Sequence, residues 1–150
     1  HKEEWDNYCD KISYSTILHR RSFLSYHADR FKDYSLLAYY EGEIVAVMSA
    51  AMDNTNRSRI ISHPGATYGG LLFKDREDAT KKLVIFDAVL KFYKRLGFKS
   101  LIRETKNCCR ISLDLTIADI SELGISSKFA SICFVSLGKQ YPPYPNEGLL

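Results

Sequence analysis

Long apolar runs are missing from this 150-residue chain. None approaches the roughly eighteen consecutive residues that a membrane-crossing helix needs, so no such span is expected. A signal peptide is not expected either, since His1-Lys-Glu-Glu is charged and no apolar segment follows it. The absent initiator methionine points to a trimmed or partial chain. Cysteine is sparse. Cys9, Cys108, Cys109 and Cys133 have neither disulfide-framework nor zinc spacing, and adjacent Cys108-Cys109 would face opposite sides of a strand. Reduced thiols, a cytoplasmic location and no metal site are the resulting expectations. Basic runs are also lacking. Arg20-Arg21 and Lys81-Lys82 are isolated pairs, and the formal charge is only +3, which permits an acidic ligand without demanding nucleic acid. No aromatic–basic interleaving of the stacking-platform kind appears, and no internal repeat.

What is present fits one folded domain, with 45% apolar and 13% aromatic residues. The chain is organised around residues 60–73, Ile-Ile-Ser-His-Pro-Gly-Ala-Thr-Tyr-Gly-Gly-Leu-Leu-Phe. Its ends, Ile60-Ile61 and Leu71 to Phe73, read as strand. Pro64-Gly65 suits a type II turn, and His63 before the proline is pushed towards extended backbone. Gly69-Gly70 suggests a bulge or a place where a ligand approaches bare backbone.

The rest reads as a mixed α+β domain. Glu3 to Ile12 predicts a helix, Thr16 to Leu18 a short strand, Arg21 to His27 a helix, and Asp29 to Asp33 a polar loop. Ser35–Tyr40 and Ile44–Met48, joined by Glu41-Gly42-Glu43, form a hairpin signature. Both runs are apolar on both faces, so the pair should be central and covered by helices. Residues 60–73 then form a third strand bent at Pro64. Asp75 to Thr80 caps a helix over Lys81–Leu96, closed by Gly97, and Phe98–Ile102 returns to the sheet. The order is α-β-β-β-α-β, an antiparallel meander followed by a crossover helix. Ile111–Ile117 alternates like a half-buried strand, Ser126–Leu137 fits helix or strand, and the last residues form a proline-rich tail.

Several of these segments, taken as a set, resemble a known family. They are Trp5-Asp6, the 26–31 string Tyr-His-Ala-Asp-Arg-Phe, Ser35-Leu36-Leu37 and, above all, the 62–70 string Ser-His-Pro-Gly-Ala-Thr-Tyr-Gly-Gly. The set is similar to bacterial GNAT-fold N-acyltransferase-like proteins related to the FemAB peptidoglycan-bridge enzymes, commonly encoded with surface-polysaccharide genes. The resemblance covers about two thirds of the chain. It implies a GNAT-like sheet, mixed and mainly antiparallel with flanking helices, over 1–103. A divergent extension over 104–137, packed on the sheet or partly ordered, and a flexible tail over 138–150 would follow. Members are typically about twice as long, and the segment from Arg103 to Arg110 departs from the family pattern. A truncated or frame-shifted member is therefore expected, which reading the coding DNA in its other frames tests. An edge strand left unpaired by truncation predicts a homodimer.

The resemblance also implies chemistry. Acyl transfer from acyl-CoA, such as acetyl-CoA, to an amine of a cell-envelope sugar or peptide precursor needs a deprotonated amine, a polarised carbonyl and a held donor. His63 is the candidate general base, since an imidazole titrates near neutral pH; the alternative is a histidine that fixes the Pro-Gly turn. Tyr68 is the candidate that donates to the leaving thiolate or orients substrate; the alternative is a half-core aromatic. Ser62, Gly65, Thr67, Gly69 and Gly70 would form the acceptor surface, against a plain strand bend. His27, Asp29 and Arg30 would recognise a polar acceptor, or simply secure a loop. The usual phosphate loop of Arg/Gln-x-x-Gly-x-Gly/Ala before a helix is absent. Arg95-Leu-Gly-Phe-Lys follows a helix instead of opening one. FemAB relatives use aminoacyl-tRNA, for which the mild charge speaks neither way. The rival expectation is a non-catalytic binding or remnant domain without a donor site.

Overall fold

The computed structural model describes residues 1–62, Pro64, Ala66, 69–104, 110–115 and 132–136. It is a mixed α+β fold with two four-stranded sheets among these residues. One sheet has the order β5-β2-β1-β8, all antiparallel, from β1 (Leu36–Tyr40), β2 (Glu43–Met48), β5 (Leu71–Phe73) and β8 (Cys133–Ser136). The other has the order β3-β4-β6-β7, from β3 (Ala51–Met52), β4 (Arg59–Ile61), β6 (Ser100–Glu104) and β7 (Arg110–Asp114). Its β4–β6 pair is parallel. Parallel neighbours need a long crossover, and the connection from β4 to β6 includes the helix α3 (Ala79–Arg95).

The expected hairpin is there and it is central. β1 lies between β2 and β8, and β2 between β1 and β5. Side chains alternate between two cores. Leu36, Ala38, Ala46 and Met48 pack in one with Ile85, Val89, Leu90 and Tyr93 of α3. Leu37, Val47 and Leu72 pack in the other with Trp5, Tyr8 and Cys9 of α1 (Lys2–Asp10). Each fully buried Leu or Val contributes about 1.5–3 kcal/mol, so Leu37→Ala would loosen the α1 side specifically.

Local chemistry sets the ends of α3. The Asp78 carboxylate accepts from the Lys81 N–H at 3.1 Å, and Lys94 and Arg95 sit in the last turn, where cations suit the dipole. Gly97, at φ +88°, closes the helix: its N–H donates to Lys94 O at 3.0 Å and that of Phe98 to Tyr93 O at 3.1 Å. This is a Schellman closure.

Three expectations change. Thr16–Leu18 is not a strand; Ile17–His19 forms a 3₁₀ turn. The reason is His19, whose Nδ1 accepts from the Thr16 N–H at 3.1 Å and whose carbonyl accepts from the Trp5 indole at 2.6 Å. The helix expected over Arg21–His27 is short: α2 covers Arg21–Leu24 and a 3₁₀ turn continues over Ser25–Arg30, taking in Asp29 and Arg30. Residues 60–73 are not one bent strand, because β4 and β5 lie in different sheets. Beyond residue 103, β7 pairs with β6, and β8 pairs with β1 as a strand rather than a helix. Residues 105–109, 116–131 and 137–150 lie outside the described residues. They include Cys108, Cys109 and the proline-rich tail.

Candidate functional site

The site begins with a mismatch in strand register. Met48 pairs with Leu71 in one sheet, and Ala51 pairs with Ile61 in the other. Between these two pairings one side has two residues, Ser49 and Ala50, and the other has nine, 62–70. At this point the β2–β3 chain passes from one sheet to the next, and the facing chain makes an excursion before rejoining as β5.

The excursion is gripped at its base. Ser62 is fully buried, and its N–H donates to Ile102 O at 2.8 Å, one residue beyond β4 along the parallel pair with β6. At the other end, a Cβ on Gly69 would stand 3.1 Å from the Ser49 hydroxyl and 3.4 Å from Ser62 O. The two ends of the excursion thus meet, as in an Ω-loop, and only a bare Cα fits comfortably between them. Gly70 has φ +116°, left-handed backbone that favours glycine, and its N–H points to Ser49 Oγ at 3.5 Å. Within the loop Ala66 is buried and Pro64 half-buried.

A buried polar network backs this crossing point. The Ser35 hydroxyl accepts from the Ala50 N–H at 3.1 Å and donates to Ala50 O at 3.3 Å, while Arg21 Nη1 donates to the same hydroxyl at 3.0 Å. Arg21 also ion-pairs with Asp33 and lies over the Trp5 ring at 5.5 Å. Burial alone would raise the Asp33 carboxyl. The Arg21 guanidinium and hydrogen bonds from Arg21 and Ser35 outweigh it and hold the carboxyl below its ordinary range. Arg21 is buried, and its Nε has no hydrogen-bond partner among the described residues.

Of the residues picked out from the sequence, the fold brings together Ser62, Gly69 and Gly70. His63, Gly65, Thr67 and Tyr68, which lie between Ser62 and Gly69 in the sequence, are outside the described residues. Asp29 and Arg30 are exposed and make no ion pair among the described residues; the His27 side chain also lies outside them. The Arg30 carbonyl accepts from Asn54 Nδ2 at 3.1 Å, and Asp33 bridges to Ala51. Since Ala51 in turn pairs with Ile61, Asp33 lies two strand spacings, about 10 Å, from β4. Sequence reading missed Ser49. The signal was the run of small residues Ser49-Ala50-Ala51 after an apolar strand, which permits close approach of another backbone.

No protein-family model matches the chain, and no curated protein or solved structure matches it. Among the described residues no helix is long and apolar enough to cross a membrane, and no group of three or more His, Cys, Asp or Glu could hold a metal ion. What the chain's own geometry defines is a mixed α+β domain with a pinched glycine-rich excursion between two sheets.

Proposed function

We propose that the chain is a GNAT/FemAB-like N-acyltransferase, acting on an amino group of a cell-envelope sugar or peptide precursor with an acyl-CoA as donor. The observation that carries this reading is the pinned base of the 62–70 string that bears the family resemblance, with Ser62 held at the end of the parallel β4–β6 pair and Gly69 closed against it. In this reading the acceptor amine attacks the thioester carbonyl and loses its proton to His63. Backbone N–H groups of the excursion stabilise the tetrahedral oxyanion, the C–S bond breaks, and Tyr68 protonates the leaving thiolate. Ser62, Gly65, Thr67, Gly69 and Gly70 shape the acceptor surface, and His27, Asp29 and Arg30 contact its polar groups.

A second reading is a binding or remnant domain without a donor site. One observation favours it: the N–H groups of Gly97 and Phe98, in the only Arg-x-Gly stretch flanking α3, are spent closing that helix and are not turned towards a phosphate. Isothermal titration of the folded protein with acetyl-CoA separates the two. Saturable heat supports the acyltransferase. No heat of binding leaves the binding or remnant domain.

A further inference from the structure

We infer that the groove between α1 and the β1–β2 turn is a second binding site, for a short peptide zwitterion of di- to tripeptide size. The groove has a volume of about 320 Å³, at the small end of the usual range for ligand sites. It opens at the start of β2, six residues from Ser49, or about 20 Å along the strand. It is therefore separate from the excursion, and the inference does not depend on the acyl-transfer reading.

The walls come from α1 on one side and from β1, β2 and the residue after β5 on the other. Glu4, Asn7 and Lys11 stand along one flank of α1 at positions i, i+3 and i+7. Tyr39, Glu43 and Lys74 stand opposite. The floor is apolar: Ile44 is half-buried, and the Tyr8 hydroxyl is spent on Val45 O at 2.8 Å, so that residue offers its ring. The Tyr39 phenol, raised above its ordinary range by burial and then by Glu4, stays a protonated donor at neutral pH.

Charge selects the ligand. The lining carries two carboxylates, Glu4 and Glu43, against two ammoniums, Lys11 and Lys74, a formal sum of zero. Among the described residues neither lysine nor Glu43 makes an ion pair, and Glu4 pairs only with His1. This is not the habit of the whole chain, since Lys81 and Lys91 on α3 pair with Glu77 and Asp87 one turn back. A simple anion would meet the two glutamates, and a simple cation the two lysines. An uncharged sugar would leave Glu43, Lys11 and Lys74 unanswered. A neutral ligand with an ammonium at one end and a carboxylate at the other answers both signs, and Asn7 and Tyr39 suit the amides between them.

Amide NMR titration of the intact chain with trialanine at neutral pH tests this. Saturable shifts are expected at Asn7, Lys11 and Gly42 to Ile44, with a Kd of about a millimolar or tighter. N-acetylated and C-amidated trialanine should each bind about fivefold or more weakly, and so should the Glu43→Gln and Lys11→Gln variants, while Lys94→Gln should not differ. These side chains are exposed, and the same spectra report folding. No saturable shift in the groove, or equal binding of the doubly capped peptide, overturns the inference.

Discussion

Gly69 stands against Ser49 so closely that a Cβ on the glycine would lie 3.1 Å from the serine hydroxyl. That contact joins the two ends of the register mismatch, one on the strand that crosses between sheets and one on the excursion opposite. Gly69→Ala should destabilise the fold by about 1 kcal/mol, because the Ser49 hydroxyl at 3.1 Å must give way, while the Ser62 carbonyl at 3.4 Å stays in ordinary contact. Ser49→Ala alone should cost about 1 kcal/mol or less, since its bond to the Gly70 N–H is long. The double variant should be more stable than the sum of the two single losses, as the smaller side chain makes room. Urea unfolding of all four proteins measures this, and strict additivity would show that the contact does not govern the site.

The Arg21–Asp33 pair behind the crossing point gives a pH signature. Asp33→Asn should cost about 3 kcal/mol, since it strips the buried guanidinium of its counter-charge. The Asp33 carboxyl is lowered in the folded protein. Its stabilisation is therefore fully present above its unfolded pKa, about 3.9, and is lost as pH falls through the folded value. Thermal melts from pH 7 to pH 2 should show the wild type losing its advantage over Asp33→Asn in the acid range. A gap between the two proteins that stays constant down to pH 2 would contradict the assignment.

The parts legible in the sequence were those encoded locally. The β1–β2 hairpin follows from two apolar runs around Glu41-Gly42, and α3 from its apolar stripe, its Asp78 cap and Gly97. Thr16–Leu18 misled because its neighbours are satisfied by a histidine side chain rather than by a ladder. The division of residues 60–73 between two sheets was hidden for another reason. Each end reads as strand, and only long-range pairings, Met48 with Leu71 and Ala51 with Ile61, send them to different sheets. The strand at Cys133–Ser136 was ambiguous for the same cause, its partner β1 lying about a hundred residues earlier. Of the candidate site, the glycines could be read directly, whereas the run Ser49-Ala50-Ala51 after β2 marks only a place for close approach and does not say which backbone faces it.

Tyr14 predicts how the outer edge of β5 behaves. Its hydroxyl donates to Phe73 O at 2.7 Å and accepts from the Phe73 N–H at 3.1 Å, so it fills the place of a neighbouring strand. Asp75 accepts from the Ser13 N–H at 2.9 Å and fastens the same segment. Tyr14→Phe keeps the ring and frees the edge. Because Tyr14 is 42% exposed, water replaces the lost bonds and stability should fall by only about 1 kcal/mol. Self-association should rise instead, as a freed edge is open to strand pairing. Light scattering across a concentration series should give the variant a larger mass than the wild type; equal masses would show that Tyr14 does not guard this edge.

The turn of the hairpin leaves room for improvement. Glu41 and Gly42 have φ +52° and φ +82°, positive at both central residues as a type I′ turn requires, and Tyr40 pairs directly with Glu43 across it. Glycine suits its place; glutamate does not, since a longer L side chain resists the left-handed region. Asparagine tolerates it. Glu41→Asn should therefore raise stability by about 0.5–1 kcal/mol without touching either core. Gly42→Ala should lower it by about 1 kcal/mol from backbone strain alone, because a Cβ there meets nothing within 4 Å. Calorimetric Tm values for the two variants should move in opposite directions. A fall in both would mean that the Glu41 side chain contributes more to the turn than its backbone strain costs.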